Sequence, residues 1–225
     1  MTKLILAYWD VRCLVEPIRL ILEYAGVEYE FKAYPTGEAP DYSRPEWKAD
    51  KFSLGFDFPN VPYLIDGEVK LTESWAIMKY LGRKYDLYPQ TEEEHQRCDV
   101  AQGVVEDFRY KFINLCYYST KESFAKGKFE FMQNFAVYMD RFELYLSNHR
   151  YMAGDRLTYV DFGLFEALDQ IMVFDASLIT DTYPTVFRFM SRIRDLKGVT
   201  TYRHSNRFKI LPLFSKYAYW GGQSE

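Results

Sequence analysis

Few side chains in this sequence have both the type and the setting to do chemistry. Tyr8 and Trp9 close a short apolar run that opens at Lys3. A phenol at the end of a strand can donate a hydrogen bond to whatever atom lies beyond it. Cys13 follows five residues later, just ahead of a helical stretch, where the positive helix end can favour a thiolate. Arg44, Trp47 and Lys51 set cation, aromatic and cation at close spacing in a long loop, an arrangement suited to an anion. Ser74 opens another helical stretch, and its hydroxyl and the free N–H groups there suit a carboxylate.

Other chemistries find little support. Cys13, Cys98 and Cys116 are odd in number, far apart and never C-x-x-C, which argues against a disulfide framework or a zinc ribbon and fits a reducing cytoplasm. His95, His149 and His204 are isolated, so no metal ligation is expected and no cofactor is called for. The formal charge is −4, from 28 Lys and Arg against 32 Asp and Glu, with the signs mixed, so no nucleic-acid partner is expected. The longest charge-free stretches, 112–120 and 131–139, fall far short of the roughly 20 residues a membrane span needs, and no secretory leader is expected.

The elements that must hold these residues follow from periodicity. Residues 3–8 read as a strand, and Pro17 sits in a first helical turn with Leu14, Ile18, Ile21, Leu22 and Ala25 on one face before Gly26. Tyr29, Phe31 and Ala33 alternate with polar neighbours as a second strand, completing a βαβ unit. Two short runs about Asp66-Gly67 read as a hairpin with a type I′ turn, and a helix over 74–84 closes the unit. The expected fold is α/β followed by all-α: residues 1–85 as a βαβ-ββα domain, 86–92 as linker, 93–225 as a helical domain. In the latter, Val100, Val104, Phe108, Phe112 and Leu115 mark one long helix face, and Phe131, Phe135, Tyr138, Phe142 and Leu146 another. Thr158 and Asp161 read as a capping-box variant, and Pro184 opens a further helix.

Nearly the whole chain resembles the cytosolic glutathione transferases, and their mu class most. The resemblance is carried, in order, by Ala7-Tyr8-Trp9-Asp10-Val11-Arg12, Glu16-Pro17-Ile18-Arg19, the acidic loop 37–47, the run from Leu54 to Gly67, Glu73-Ser74, Gly154-Asp155 and Thr158-Tyr159-Val160-Asp161-Phe162. It implies a thioredoxin-like N-terminal domain, a helical C-terminal domain, a homodimer, and conjugation of glutathione to hydrophobic electrophiles. Tyr8 would be catalytic. A thiol near its ordinary pKa of about 8.5 is mostly protonated at pH 7, and a donor aimed at the sulfur raises the thiolate fraction.

The same resemblance implies a glutathione site made of Tyr8, Trp9, Leu14, Arg44, Trp47, Lys51, Asn60, Val61, Pro62, Glu73 and Ser74, with Asp107 reaching into the partner subunit's site. Val61 would pair its backbone with the tripeptide, held by a cis bond to Pro62. Glu73 departs from the class, which usually has Gln; an acceptor-only carboxylate suits the γ-glutamyl ammonium. Val11, Leu14, Tyr110, Tyr117 and Phe214 would line the electrophile pocket. Phe58 would insert between helices of the partner, with Arg83 and Asp99 across the two-fold axis. Two other readings stay open from the residues: a non-catalytic carrier of hydrophobic ligands on the same fold, and a thiol redox enzyme using Cys13. In the redox reading Cys13 is the nucleophile; otherwise it is expected to face the cleft mouth, away from the glutathione sulfur.

Overall fold

In a computed structural model describing residues 3–223, four strands form one mixed sheet in the order β2-β1-β3-β4. The outermost residues of the expected domains, 1–2 and 224–225, lie outside the described part. β1 (Leu4–Trp9) runs parallel to β2 (Tyr29–Tyr34) in the register Tyr8↔Ala33, and antiparallel to β3 (Tyr63–Asp66) in the register Ala7↔Tyr63. β3 pairs with β4 (Val69–Thr72). Helix α1 (Glu16–Tyr24) makes the crossover between the parallel strands, and α3 (Ser74–Lys84) follows β4. This is a thioredoxin-like unit.

Several local expectations are corrected. The hairpin loop is Gly67-Glu68, and only Gly67 has positive φ, +62°, the requirement of a type II′ turn and not of type I′. In β2 the alternation fails at its end: Ala33 is exposed and Tyr34 fully buried, because Tyr34 turns in to meet Trp47 and Tyr63. Leu14 and Ala25 fall outside α1. A six-residue helix, α2 (Pro45–Asp50), forms in what reads as a plain loop; it is too short to show a period, and Pro45 at its first turn is its one signal.

The helical part begins with α4 (Glu92–Tyr118), started by a Thr91–Glu94 capping box, and α5 (Phe124–Asn148). Val100 is 68% exposed; the buried face of α4 carries Cys98, Ala101, Val105, Phe108, Arg109, Phe112 and Cys116 instead. The apolar residues thus spread over two faces, one turned to the core and one to a groove on α5. Next come α6 (Tyr159–Phe174), α7 (Ser177–Thr180), α8 (Pro184–Arg194) and α9 (Lys197–Arg203). Thr158 and Asp161 form the capping box of α6. The Asp161 carboxylate accepts from the N–H of Thr158 at 2.8 Å and also from that of Met152 at 2.7 Å.

Helix α1 packs against α3, α6 and α9. Arg12, fully buried just after β1, pins this junction through Glu166 at 2.6 Å and Asp169 at 2.8 Å on α6. Arg203 of α9 meets the same Asp169 at 2.9 Å. The chain after α9 folds back over the β1–α1 turn, where the N–H of Arg12 donates to Pro212 and that of Cys13 to Leu213, both at 3.0 Å.

Candidate active site

The centre of the site is the C-terminal end of β1. Two sheet neighbours flank this strand and bury Tyr8 to 5% exposure, and burial holds its hydroxyl well above the usual phenol range. The group therefore stays protonated and available as a donor. The Cys13 thiol lies near enough to raise its pKa further. This corrects the expectation that Cys13 faces the cleft mouth: the turn gives Cys13 φ +29°, and the thiol is buried against the Tyr8 hydroxyl. Burial pushes the thiol up as well, with the Arg109 charge and the nearby Tyr8 hydroxyl pulling it down.

One side of this centre is a block of aromatic rings. Trp9 packs edge-on against Tyr34 and Trp47 with centroids 6.3 and 6.4 Å apart, and Trp47 stacks on Tyr63 at 6.2 Å. Asp50, accepting from Tyr34 at 2.7 Å, ties α2 to the sheet. Arg44 lies with its guanidinium 4.8 Å from the Trp9 ring and 5.5 Å from that of Tyr217 in the C-terminal tail, and its buried Nε has no hydrogen-bond partner. Lys51 caps α2, half-buried, with Nζ 5.4 Å from the Phe52 ring. Neither Arg44 nor Lys51 pairs with a carboxylate among the described residues, so both charges are open to an anion.

The strand β3 is preceded by a cis bond between Val61 and Pro62, and two further X-Pro bonds, Ala39-Pro40 and Leu211-Pro212, are also cis. Val61 lies just before the first β1–β3 pair, so its backbone groups are outside the ladder. At α3 the cap position belongs to Glu73, with φ +67°, and Ser74 is the first helical residue, buried at the helix start. Asn60 Nδ2 donates to Glu73 Oε1 at 3.2 Å, which fixes these two expected ligands on each other.

Above this frame, residues 35–42 and the C-terminal tail enclose a cleft of about 720 Å³, bordered by Asp10, Val11, Tyr42, Phe214 and Ser215. Val11 and Phe214 thus line it as expected of electrophile-pocket residues. Tyr117 adjoins through Phe214, 5.3 Å between centroids, and its hydroxyl accepts from the N–H of Ser215 at 2.9 Å. Leu14 is half-buried beside Cys13, and Tyr110 points outward, 56% exposed. Tyr110 therefore lies away from the cleft, because position 110 is on the opposite side of α4 from the buried face.

The residues expected between subunits are on the surface. Phe58 is 81% exposed, and Asp107 lies on the rim of a separate apolar groove of about 470 Å³ between α4 and α5, lined by Val100, Val104, Tyr138 and Phe142. Arg83 is exposed over the Tyr88 ring, and Asp99 pairs with Lys79 of the same chain at 3.8 Å. Sequence reasoning missed Arg109, Ser215 and Tyr217 around the centre. For Arg109 a signal existed, since it keeps step with Val105, Phe112 and Cys116 on the core face of α4.

Comparison with known proteins agrees with this geometry. Residues 5–83 match the family model of the glutathione S-transferase N-terminal domain, and residues 106–206 that of the C-terminal domain. Glutathione S-transferase Mu 1 of Rattus norvegicus is 44% identical over 98% of this chain and 99% of its own length; Mu 3 of Homo sapiens is 40% identical over 99% and 97%. The crystal structure of the glutathione S-transferase Blo t 8 superposes with a TM-score of 0.88 at 34% identity, covering 96% of this chain and 99% of that one. With a thioredoxin-like sheet ending in Tyr8, a helical domain over it and full-length relatives of one kind, the chain belongs to the mu-class glutathione S-transferases.

Proposed function

We propose that Tyr8 activates the thiol of glutathione for attack on a hydrophobic electrophile held in the cleft of residues 35–42 and the tail. The carrying observation is a phenol buried at the C-terminal end of β1 and kept protonated by that burial. When glutathione binds, its sulfur accepts from the Tyr8 hydroxyl, and the thiolate fraction rises because the hydrogen bond favours the anion. The open cations Arg44 and Lys51, with Trp47, suit the glycyl carboxylate. The backbone of Val61 suits the cysteinyl unit, and Ser74 at the start of α3 suits the γ-glutamyl carboxylate. Glu73, turned by Asn60, is an acceptor for the γ-glutamyl ammonium.

The assembly that fits is a homodimer. An exposed Phe58 on one copy matches the apolar α4–α5 groove on another, and Asp107 on the rim of that groove would then approach the neighbouring glutathione. No helix among the described residues is long and apolar enough to cross a membrane, and we place the enzyme in the cytoplasm. The redox reading of Cys13 is disfavoured, because its burial holds the thiol protonated. The test is Tyr8→Phe. Glutathione affinity should stay within a few fold while turnover with a chloronitroarene falls by about one to three decades, the effect of losing one donor to an anion. Unchanged turnover would make Tyr8 a packing residue.

A further inference from the structure

Three of the expected glutathione ligands depend on one short element. Arg44 holds the cap position before α2, Trp47 lies within it, and Lys51 holds the cap position after it. Six residues make less than two turns, too few to keep a helical shape by their own hydrogen bonds. The side chain of Arg44 makes no cap bond at the start, and Trp47 is the one buried residue of α2. The helix must therefore take its place from the sheet beneath it, and any freedom it had would pass to all three ligands at once.

The seat is built across three strands. Tyr34 on β2 pairs with Trp9 and Tyr63 on β3 with Ala7, so the two tyrosines flank β1, and their hydroxyls meet at 3.0 Å. Trp47 rests on both rings, its centroid 5.4 Å from that of Tyr34 and 6.2 Å from that of Tyr63. Apolar burial of this kind is not directional. Direction comes from Asp50, the last residue of α2, whose Oδ2 accepts from the Tyr34 hydroxyl at 2.7 Å and from Lys32 Nζ at 2.5 Å. The bond from Lys32, then that from Tyr34, holds this carboxyl below the usual carboxylate range, so it accepts from both as an anion. Tyr34 has one hydroxyl proton and gives it to Asp50, so it accepts from Tyr63, and the chain of donors ends on α2. Lys32 is half-exposed and its ion pair is screened, which leaves the fully buried Tyr34 as the stronger tether. On its other side the Asp50 carbonyl accepts from the N–H and the hydroxyl of Ser53, both at 2.9 Å, and Lys51 lies between these two anchors.

We propose that Asp50 is a positioning residue for glutathione: tethered to Tyr34 and Lys32, it sets where α2 lies on the sheet and so where Arg44, Trp47 and Lys51 meet the glycyl carboxylate. The proposal rests on the glutathione reading. Asp50 acts through the helix, and its effect is confined to the glycyl end, because Tyr8 is held by β1 and Ser74 by α3.

The experiment is steady-state kinetics with a chloronitroarene and two thiol substrates, glutathione and γ-glutamylcysteine, which lacks the glycine. The enzymes are the wild type, Asp50→Ala, Asp50→Asn and Tyr34→Phe. In Asp50→Ala the KM for glutathione should rise about tenfold, the scale of a weakened set of bonds to a charged group, with kcat within about twofold. Its KM for γ-glutamylcysteine should stay within about twofold of the wild type. Asp50→Asn keeps an oxygen that accepts from Tyr34 and should recover about threefold of the loss, and Tyr34→Phe should resemble Asp50→Ala. Equal rises in both KM values overturn the proposal, since they mark a general loss of the site, as does a wild-type KM for glutathione in Asp50→Ala or Tyr34→Phe. A wild type with the same KM for the two thiols refutes the glycyl part of the glutathione reading itself, before a variant is measured.

Discussion

Replacing Arg12 by Met removes the cation that holds the β1–α1 turn to the helical domain. Its guanidinium is 1% exposed and bonded to Glu166 at 2.6 Å and Asp169 at 2.8 Å. Breaking one side of a buried pair costs about 3–5 kcal/mol, because the remaining charge is left uncompensated. Here Arg203 still serves Asp169, with contacts of 2.9 and 3.1 Å, so the orphan is Glu166, which keeps only the amide of Gln170 at 2.8 Å. The lower end, about 3 kcal/mol, is therefore expected at pH 8.

Glu166 also sets the pH dependence. Burial already raises its carboxyl to about 7 with Arg12 present, and loss of Arg12 raises it further. A carboxyl with a folded-state pKa above its unfolded value of about 4.3 binds a proton in the folded state that the unfolded chain does not hold. Stability then falls as pH rises through the folded pKa. The penalty of Arg12→Met should accordingly shrink below pH 6 and grow by about 1.4 kcal/mol for each unit that the Glu166 pKa rises. Urea unfolding at fixed protein concentration, at pH 5.5 and 8.5, reads both numbers. The double variant with Glu166→Leu should recover about 2 kcal/mol of the single loss. A cost equal at the two pH values, together with additive single changes, would refute the assignment of Glu166 as the orphaned charge.

Phe58→Ser should shift the protein toward monomer in sedimentation and lower activity, because Asp107 would no longer reach a neighbouring site; an unchanged dimer constant removes Phe58 from the interface. Cys13→Gly puts a residue without Cβ at φ +29° and removes the thiol near the Tyr8 hydroxyl that could compete for it. The fold should tolerate it, and the thiol pKa of bound glutathione should fall by roughly half a unit, the worth of one competing hydrogen bond. A rise would show that Cys13 supports Tyr8 and does not compete with it.

What the sequence made legible was local or periodic. The Thr158–Asp161 box is written in four consecutive residues, and the strand that ends in Tyr8 needs only an apolar run and a stop. What stayed hidden depends on partners far along the chain. Nothing near Asp161 announces that it also binds the N–H of Met152, nine residues upstream. The apolar spacing of Val100 and Val104 is helical but does not say which face meets the core, and Val100 turned out to face the α4–α5 groove. Cys13 was misplaced because five residues of separation fix contour length and not direction; the positive φ of the turn reverses the chain toward Tyr8.

The same reasoning separates what holds the site from what acts in it. The charges of Arg12, Glu166, Asp169 and Arg203 neutralise one another at the junction of the sheet and the helical domain, so they fix the β1–α1 turn without leaving a net field at its far side. Arg44 and Lys51 have no carboxylate partner among the described residues; Arg44 lies over the Trp9 ring beside the C-terminal tail and Lys51 at the end of α2. Mutual pairing is what a folding role requires, and a cation left unpaired at a cleft is a cost to the free enzyme that only a bound anion removes. A doubly carboxylated substrate presents an anion at each end, one to suit Arg44 and Lys51 and one to suit the start of α3, with the ammonium left to Glu73. On the reading proposed above, electrostatic complementarity at both ends of the tripeptide, with the sulfur at Tyr8, would favour glutathione over a simple thiol.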